Sequence, residues 1–171
     1  AGEYAILEPG QLALIKAIPI YMTAEIESSE VYRLYSDMFS YSVDLRPDSS
    51  YTLIQETVAL VEEYLTAQGV EMQPFSLDVR GKMEREGKKF GLGSSGSVVV
   101  LVIKAMLAFY ERLADRDLLF KLASAVLLKR GDNGSMGDIA CIVSEELVLY
   151  QSIDREKVAQ WLEKEDLPTV L

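Results

Sequence analysis

The 171-residue sequence predicts an α+β fold, and two patterns carry this prediction. The front of the chain is rich in Tyr, Ile and Val in short alternating segments, which favour an antiparallel sheet. Behind it, apolar residues recur at helical spacing, most clearly over residues 53–65. Apolar residues make up 49% of the chain and charged residues 26%, which indicates a globular protein. A chain of this length is expected to bury one core as a single domain.

Short segments bounded by polar turns mark the predicted strands. In the front part of the chain they are residues 18–26, 31–36 and 41–45. Residues 75–80 alternate cleanly between apolar and polar side chains, which predicts a strand with one face in water. Residues 147–150 form a further short strand.

Capping residues and glycines mark the ends of the predicted helices. Three helices are delimited in this way: residues 53–65 before Gly69, residues 118–130 between Asp115 or Asp117 and Gly131, and residues 155–164 after Asp154. Residues 98–110 are ambiguous, because their Val-Val-Val-Leu-Val-Ile start favours a buried strand. The apolar pattern is long for a strand, however, and favours a buried helix.

Composition excludes several classes of function. The formal net charge of -10 argues against nucleic acid as a ligand, because binding a phosphate backbone requires a basic surface. The absence of histidine excludes His-based triads and His metal sites. A single cysteine, Cys141, leaves no intramolecular disulfide and favours a reducing, cytoplasmic location. Lys104 interrupts the longest apolar run, so no membrane span is expected.

The most informative stretch is residues 88–97, Lys-Lys-Phe-Gly-Leu-Gly-Ser-Ser-Gly-Ser. Small residues leave backbone N–H groups uncovered, and a helix that begins here would add its positive dipole end. Such an arrangement holds polyphosphates, and the two lysines would add positive charge. The spacing fits neither the Walker loop nor Gly-x-Gly-x-x-Gly. The alternative interpretation is a polar turn into a strand.

A second polar loop covers residues 131–138, Gly-Asp-Asn-Gly-Ser-Met-Gly-Asp. Ser135 and Asp138 have the Ser-x-x-Asp spacing of a helix N-cap with its capping partner, which is the purely structural interpretation. A capping position also fixes a carboxylate at a helix start, so a functional role for Asp138 is compatible with it. At the front of the chain, residues 2–14 fit two strands joined by a Pro9-Gly10 turn.

These stretches together resemble the GHMP kinases, the small-molecule kinases for galactose, homoserine, mevalonate and phosphomevalonate. Gly91-Leu92-Gly93-Ser94-Ser95 resembles their nucleotide loop, and Gly2-Glu3-Tyr4-Ala5 resembles their first motif. The Gly-Ser-x-x-Asp pattern ending at Asp138 resembles a further family motif. The ending Ser95-Gly96-Ser97, in place of Ser-Ser-Ala-Ala, is most similar to the phosphomevalonate kinase branch.

The resemblance implies a ribosomal protein S5 domain 2-like α+β fold, with a mixed or antiparallel sheet, packed helices and a left-handed βαβ crossover. It implies that residues 1–171 are the N-terminal, ATP-binding domain without its first strand, and that the C-terminal GHMP domain is absent. The cofactors implied are ATP and Mg²⁺, and the partner is a small molecule, phosphomevalonate, with no nucleic acid or membrane.

The resemblance also implies the roles of individual residues. Lys89 and Asp138 are the implied catalytic residues, with Lys89 stabilising the transferred phosphoryl group and Asp138 facing it. The remaining residues are the nucleotide loop Gly91, Leu92, Gly93, Ser94, Ser95, Gly96 and Ser97, of which Ser94 or Ser95 would ligate Mg²⁺, and the acceptor-side residues Glu3, Tyr4 and Ser135. Another GHMP kinase, or a nucleotide-binding module without turnover, remains an alternative.

Overall fold

The computed structural model describes residues 4–81, 84–85, 88–89 and 94–171. In chain order the elements are a 3₁₀ turn at Ala5–Leu7, β1 Leu12–Lys16, β2 Thr23–Ser28, β3 Arg33–Ser36, β4 Ser42–Val43, α1 Thr52–Ala67, β5 Phe75–Arg80, β6 Glu84–Arg85, β7 Lys88–Lys89, α2 Ser94–Phe109, α3 Arg116–Lys129, α4 Gly137–Ser144, β8 Leu147–Gln151, α5 Arg155–Lys164 and α6 Leu167–Val170. They fall into two compact units, unit 1 (Ala1–Pro19 with Asp115–Leu171) and unit 2 (Ile20–Ala114).

Unit 2 contains a four-stranded mixed sheet in the order β2-β5-β3-β4. β3 and β5 pair in parallel, whereas the other neighbours are antiparallel. The alternation that predicts β5 places Phe75, Leu77 and Val79 in the core with no exposed area. α1 packs against α2, and α2 packs against β2, so helices cover the apolar face of this sheet. The predicted α+β class, with a mixed sheet packed by helices, is confirmed.

Unit 1 is built from both ends of the chain. β1 pairs antiparallel with β8, from Leu12 opposite Gln151 to Lys16 opposite Leu147. α4 packs on both strands, and α3 packs on α4 and α5. Ile6, Ala13 and Tyr150 form a small buried cluster where the 3₁₀ turn meets the two strands. This unit therefore holds the first motif and the second polar loop of the sequence.

The structure resolves the ambiguous segment as helix α2, which has 16 residues. Val99, Val102, Ile103 and Met106 are buried along it. Their spacing corresponds to one broad face of a helix, because residues three and four apart lie side by side. The tertiary environment thus overrides the strand propensity of the valine run.

Several predictions from local pattern are wrong. The first of two strands proposed around the Pro9-Gly10 turn is instead the 3₁₀ turn Ala5–Leu7. The strand predicted from residue 18 begins only at Thr23, after Pro19, since proline cannot donate to a ladder. Residues 41–45 contain only the two-residue strand β4. In the basic approach to the serine loop, the two-residue strands β6 and β7 pair antiparallel.

The boundaries set by caps are mostly confirmed. The Asp115 carboxylate accepts a hydrogen bond from the backbone N–H of Leu118 at 2.8 Å, and α3 ends before Gly131, whose φ is 75°. Asp154 caps α5 in the same way through Lys157. The short C-terminal helix α6, capped by Asp166, was not predicted. In the described part of the chain, no helix is long and apolar enough to cross a membrane.

Candidate nucleotide and acceptor site

The N-terminus of α2 has the features of an anion site. Its first turn consists of Ser94, Ser95, Gly96 and Ser97 and carries no acidic residue. The positive end of the helix dipole is therefore not offset by a carboxylate of the same turn. Ser95 is exposed and Gly96 is buried, so the turn combines an accessible hydroxyl with a glycine that lies against protein. The buried apolar residues of α2 anchor this end within unit 2.

Lys89 lies in β7, the short strand that precedes this helix in the chain. β6 and β7 pair antiparallel, with Glu84 opposite Lys89 and Arg85 opposite Lys88. The backbone pairing gives Lys89 a defined position in unit 2, the unit that also contains α2. The predicted loop residues Gly91, Leu92 and Gly93 lie outside the described residues, as does the predicted acceptor residue Glu3.

The second polar loop lies in unit 1 and is held by specific hydrogen bonds. The Asp132 carboxylate accepts from the backbone N–H of Gly134 at 2.6 Å, and the Ser135 hydroxyl accepts from that of Gly137 at 3.3 Å. On its other side, the Tyr150 hydroxyl donates to the Ser135 carbonyl at 2.5 Å. Burial raises the pKa of Tyr150, which keeps this donor protonated.

The predicted capping box of Ser135 and Asp138 does not form. The N-cap of α4 is Met136, which has a φ of 63° and makes no side-chain cap hydrogen bond. Met136 is nearly fully buried, with 1% exposure, so its packing outweighs the cost of the left-handed backbone. The cap is thus displaced by one residue, and Asp138 lies in the first turn of α4 without a capping partner role.

The 3₁₀ turn packs closely against this loop. A Cβ added to Gly137 would lie 2.7 Å from Cδ1 of Ile15 and 3.1 Å from Cδ1 of Ile6. Only glycine permits so close an approach without displacing these side chains. Tyr4, which is 80% exposed, directly precedes the turn. Unit 1 therefore gathers three of the predicted site residues, Tyr4, Ser135 and Asp138, on the turn and the adjoining loop.

The surroundings of Asp138 disfavour its charged form. Asp138 is exposed as a residue, and partial desolvation by the surrounding protein raises the pKa of its carboxyl above the ordinary value. Backbone N–H groups of Ile139 and of Asp138 itself oppose the rise, and the negative charge of Asp132 adds to it. A carboxylate with a raised pKa accepts a proton more readily. A nearby cation would favour its charged form and lower its pKa again.

Arg155 is a feature of this region that no sequence pattern indicated. Its guanidinium donates to the carbonyls of Asn133 and Gly134 in the loop and to the carbonyl of Leu7 in the 3₁₀ turn, the last at 2.7 Å. In the sequence, Arg155 is the first residue of a capped helix, and that position does not indicate a contact with the loop or the turn. Its partners are backbone atoms, so no particular residue type elsewhere reveals the contact.

A hydroxyl at the start of α2 is a candidate metal ligand. Among the described residues, no three or more Asp, Glu, His or Cys side chains are grouped as a metal site. Mg²⁺ in phosphoryl-transfer sites is commonly bound through one or two protein oxygens and the phosphates themselves. The exposed hydroxyl of Ser95 at the N-terminus of α2 fits that requirement.

The chain is similar to several known kinases. It is 71% identical to Streptococcus pneumoniae phosphomevalonate kinase in complex with phosphomevalonate and AMPPNP, with a TM-score of 0.97 over 99% of this chain and 52% of that one. It is 31% identical to a Listeria innocua protein, with a TM-score of 0.92 over 99% of this chain and 50% of that one. The curated phosphomevalonate kinase of Streptomyces sp. strain CL190 is 27% identical over an alignment 177 positions long, which covers 91% of this chain and 47% of that protein.

The chain thus spans about half the length of these relatives. Methanococcus jannaschii mevalonate kinase, 20% identical with a TM-score of 0.74, shares the fold. The family described as GHMP kinases N terminal domain matches residues 52–146, which is more than half of the chain. The chain belongs to the GHMP kinase N-terminal domain family.

Proposed function

We propose that this chain is the N-terminal, ATP-binding half of a phosphomevalonate kinase. The enzyme would transfer the γ-phosphoryl group of Mg-ATP to 5-phosphomevalonate, giving 5-diphosphomevalonate and ADP in the mevalonate pathway of isoprenoid biosynthesis. The observation that carries the proposal is the 71% identity, over 99% of this chain, to a phosphomevalonate kinase bound to phosphomevalonate and AMPPNP. Because that match covers 52% of the relative, we also propose that turnover requires a C-terminal half.

The nucleotide phosphates are assigned to unit 2. The N–H groups at the start of α2 and the loop Gly91 to Ser97 would hold the β- and γ-phosphates, since a helix N-terminus attracts anions. Ser94 or Ser95 would ligate Mg²⁺. Lys89 would offset the charge that spreads over the moving phosphoryl group, which is the main requirement of this chemistry.

The acceptor is assigned to the loop and turn of unit 1. Glu3, Tyr4 and Ser135 would contact phosphomevalonate, and Asp138 would face the transferred group. The attacking oxygen belongs to a phosphate that is already an anion near neutral pH, because its second pKa is about 6. A general base is therefore less necessary than in an alcohol kinase, and Asp138 would orient the acceptor, Mg²⁺ or Lys89. With a single buried thiol, Cys141, the chain fits the cytoplasm, where we place the enzyme.

The test is ADP release from Mg-ATP with phosphomevalonate, mevalonate, homoserine and galactose as alternative acceptors. The assay uses the full-length protein and its Lys89→Met variant. The matched control is Lys88→Met, because Lys88 is the neighbouring lysine of β7. We expect turnover with phosphomevalonate alone. Losing one stabilising charge in the transition state should lower kcat in Lys89→Met by roughly 10²–10³-fold, with little change in Lys88→Met.

Turnover with another acceptor would replace the substrate assignment and leave the kinase assignment in place. Binding of Mg-ATP without ADP release from any acceptor would support a nucleotide-binding module instead. Equal kcat in the two lysine variants would contradict the role given to Lys89.

A further inference from the structure

We propose that Arg155 is a positioning residue that couples the acceptor-side 3₁₀ turn to the loop that carries Ser135 and Asp138. The proposal rests on the proposed kinase function, because that function assigns the acceptor substrate to this turn. Its structural basis is one guanidinium that bridges two segments far apart in sequence: Leu7 lies 148 residues from Arg155, and Gly134 lies 21 residues from it.

The carbonyls that Arg155 binds lie at the end of the turn and within the loop. A 3₁₀ turn leaves its last carbonyls without partners inside the helix, and Leu7 is the last residue of this turn. The Nη2 atom of Arg155 supplies that partner at 2.7 Å. Its Nη1 atom donates to the carbonyls of Asn133 and Gly134, directly before Ser135. One planar group thus satisfies both segments at once.

Arginine is suited to this bridge and lysine is not. The guanidinium carries five N–H donors in a fixed plane and stays charged at all relevant pH values. An ammonium group is a single centre, so it reaches the loop or the turn but cannot keep the spacing between them. The Asp154 cap, which accepts from the Lys157 N–H at 3.1 Å, fixes the backbone from which Arg155 extends.

A second close approach joins the turn and the loop. Ile6 of the same turn approaches Gly137 so closely that an added Cβ would be 3.1 Å from its Cδ1 atom. The turn therefore contacts the loop on both sides of Ser135, through Arg155 at Asn133 and Gly134 and through Ile6 at Gly137. A shift of the turn moves the loop with it, together with the side chains at either end.

The test compares Arg155→Gln with Arg116→Gln in the full-length protein. Arg116 is a matched control, because it is also the first residue of a helix behind an aspartate cap in unit 1. Within the described part of the chain, its ion pair is with Glu146 at 3.7 Å, and both side chains are mostly exposed. We expect Arg155→Gln to raise the KM for the acceptor about tenfold or more, because small misplacements near a reacting group are costly. The KM for ATP should change less than twofold.

Two further measurements separate positioning from simple destabilisation. Arg155→Lys should fall between the wild type and Arg155→Gln in acceptor KM. Hydrogen exchange should become faster in Arg155→Gln over residues 5–8 and 132–137 and stay unchanged in α3, whereas Arg116→Gln should match the wild type throughout.

The outcomes are distinct. An acceptor KM like that of the Arg116 control, or an equal rise in the KM for both substrates, overturns the proposal. If the wild type phosphorylates no acceptor, the kinase assignment fails, and exchange alone then decides whether Arg155 couples the two segments. Unchanged exchange in Arg155→Gln overturns the coupling in either case.

Discussion

At the scale of single residues, Asp138 shows a placement that works against stability. Asp138 is exposed, and partial desolvation by the protein, with a smaller contribution from the negative charge of Asp132, raises its pKa. The unfolded chain imposes no such penalty on the charged form. The native state therefore loses stability as the pH rises through the raised pKa, and the loss is small because solvent screens an exposed side chain. Such a residue is typical of a site kept for function.

Asp138→Asn should therefore raise the Tm at pH 7, because the amide carries no charge to disfavour. The gain should shrink as the pH falls, and its pH-dependent part should vanish below about 3.8, the ordinary value for this carboxyl. Thermal unfolding of both proteins from pH 7 to pH 3 measures this. Asp117→Asn, at an exposed site paired with Lys121, is the control and should show no gain. A gain that grows on acidification would contradict the assigned environment.

The same substitution separates two roles for this carboxylate. If Asp138 only orients groups around an acceptor that is already ionised, Asp138→Asn should reduce the single-turnover rate less than Lys89→Met does. An essential general base commonly contributes 10²–10⁴-fold, so a loss of about that size, equal to the loss in Lys89→Met, would assign proton transfer to Asp138.

At the scale of elements, the sequence predicts best where a local rule has no competitor. β5 alternates cleanly and forms as predicted, and the caps at Asp115 and Asp154 are made by the expected backbone contacts. The valine run of α2 and the Ser-x-x-Asp spacing before α4 show where such rules fail. Packing in the core makes the valine run helical, and the burial of Met136 places the N-cap of α4 at that residue.

Part of the candidate site is predictable from the sequence, and part of it is not. Small residues and lysines before an apolar segment are visible in sequence, so the N-terminus of α2 was predicted. Arg155 was not, because its partners are the backbone carbonyls of Leu7, Asn133 and Gly134. Which carbonyls lie near one side chain depends on tertiary structure and leaves no mark on residue type.

Gly81, at the end of β5, gives a test at this scale. Its φ is 132°, and an added Cβ would lie 2.8 Å from the Cα of Met22, a backbone atom that cannot rotate away. Its N–H also donates to the Asp37 carboxylate at 2.9 Å, which fixes the chain shortly before β7, the strand that carries Lys89. Gly81→Ala should destabilise the protein by about 1–3 kcal/mol more than Gly69→Ala does, because of this clash.

Gly69 is the matched control, since its φ is 76° and an added Cβ would meet nothing within 4 Å. Its own substitution should cost about 1 kcal/mol from the left-handed backbone alone. Urea unfolding of both variants measures the difference. Equal midpoints would show that the contact with Met22 relaxes without cost.

At the scale of the whole molecule, residues of both units carry the proposed roles. The nucleotide residues belong to unit 2 and the acceptor residues to unit 1. Relatives in turn are about twice as long as the part matched here. A net charge of -10 makes any phosphate site a local exception on an acidic protein, which is consistent with a binding site formed by helix amides and one or two lysines.

A chain limited to residues 1–171 should therefore bind Mg-AMPPNP without releasing ADP from Mg-ATP and phosphomevalonate. Calorimetric titration measures the binding, a coupled assay measures the release, and circular dichroism establishes that the chain is folded. The full-length enzyme that we propose, measured in parallel, is expected to do both. Turnover by residues 1–171 alone would show that this half is sufficient.

The pairing of β1 with β8 also determines when the chain can fold as it is synthesised. The hydrogen bond from the Gln11 N–H to Ser152 beside this ladder joins residues 141 positions apart. At about 5–20 residues per second, a ribosome needs roughly 7–28 s to make that stretch. Unit 2 is one continuous segment and is complete before β8 exists, whereas β1 waits as an unpaired edge that is open to pairing with other chains. A translational pause that falls after unit 2 has left the ribosome, and before β8 is made, would therefore prolong the exposure of β1 and leave the sheet of unit 2 unaffected.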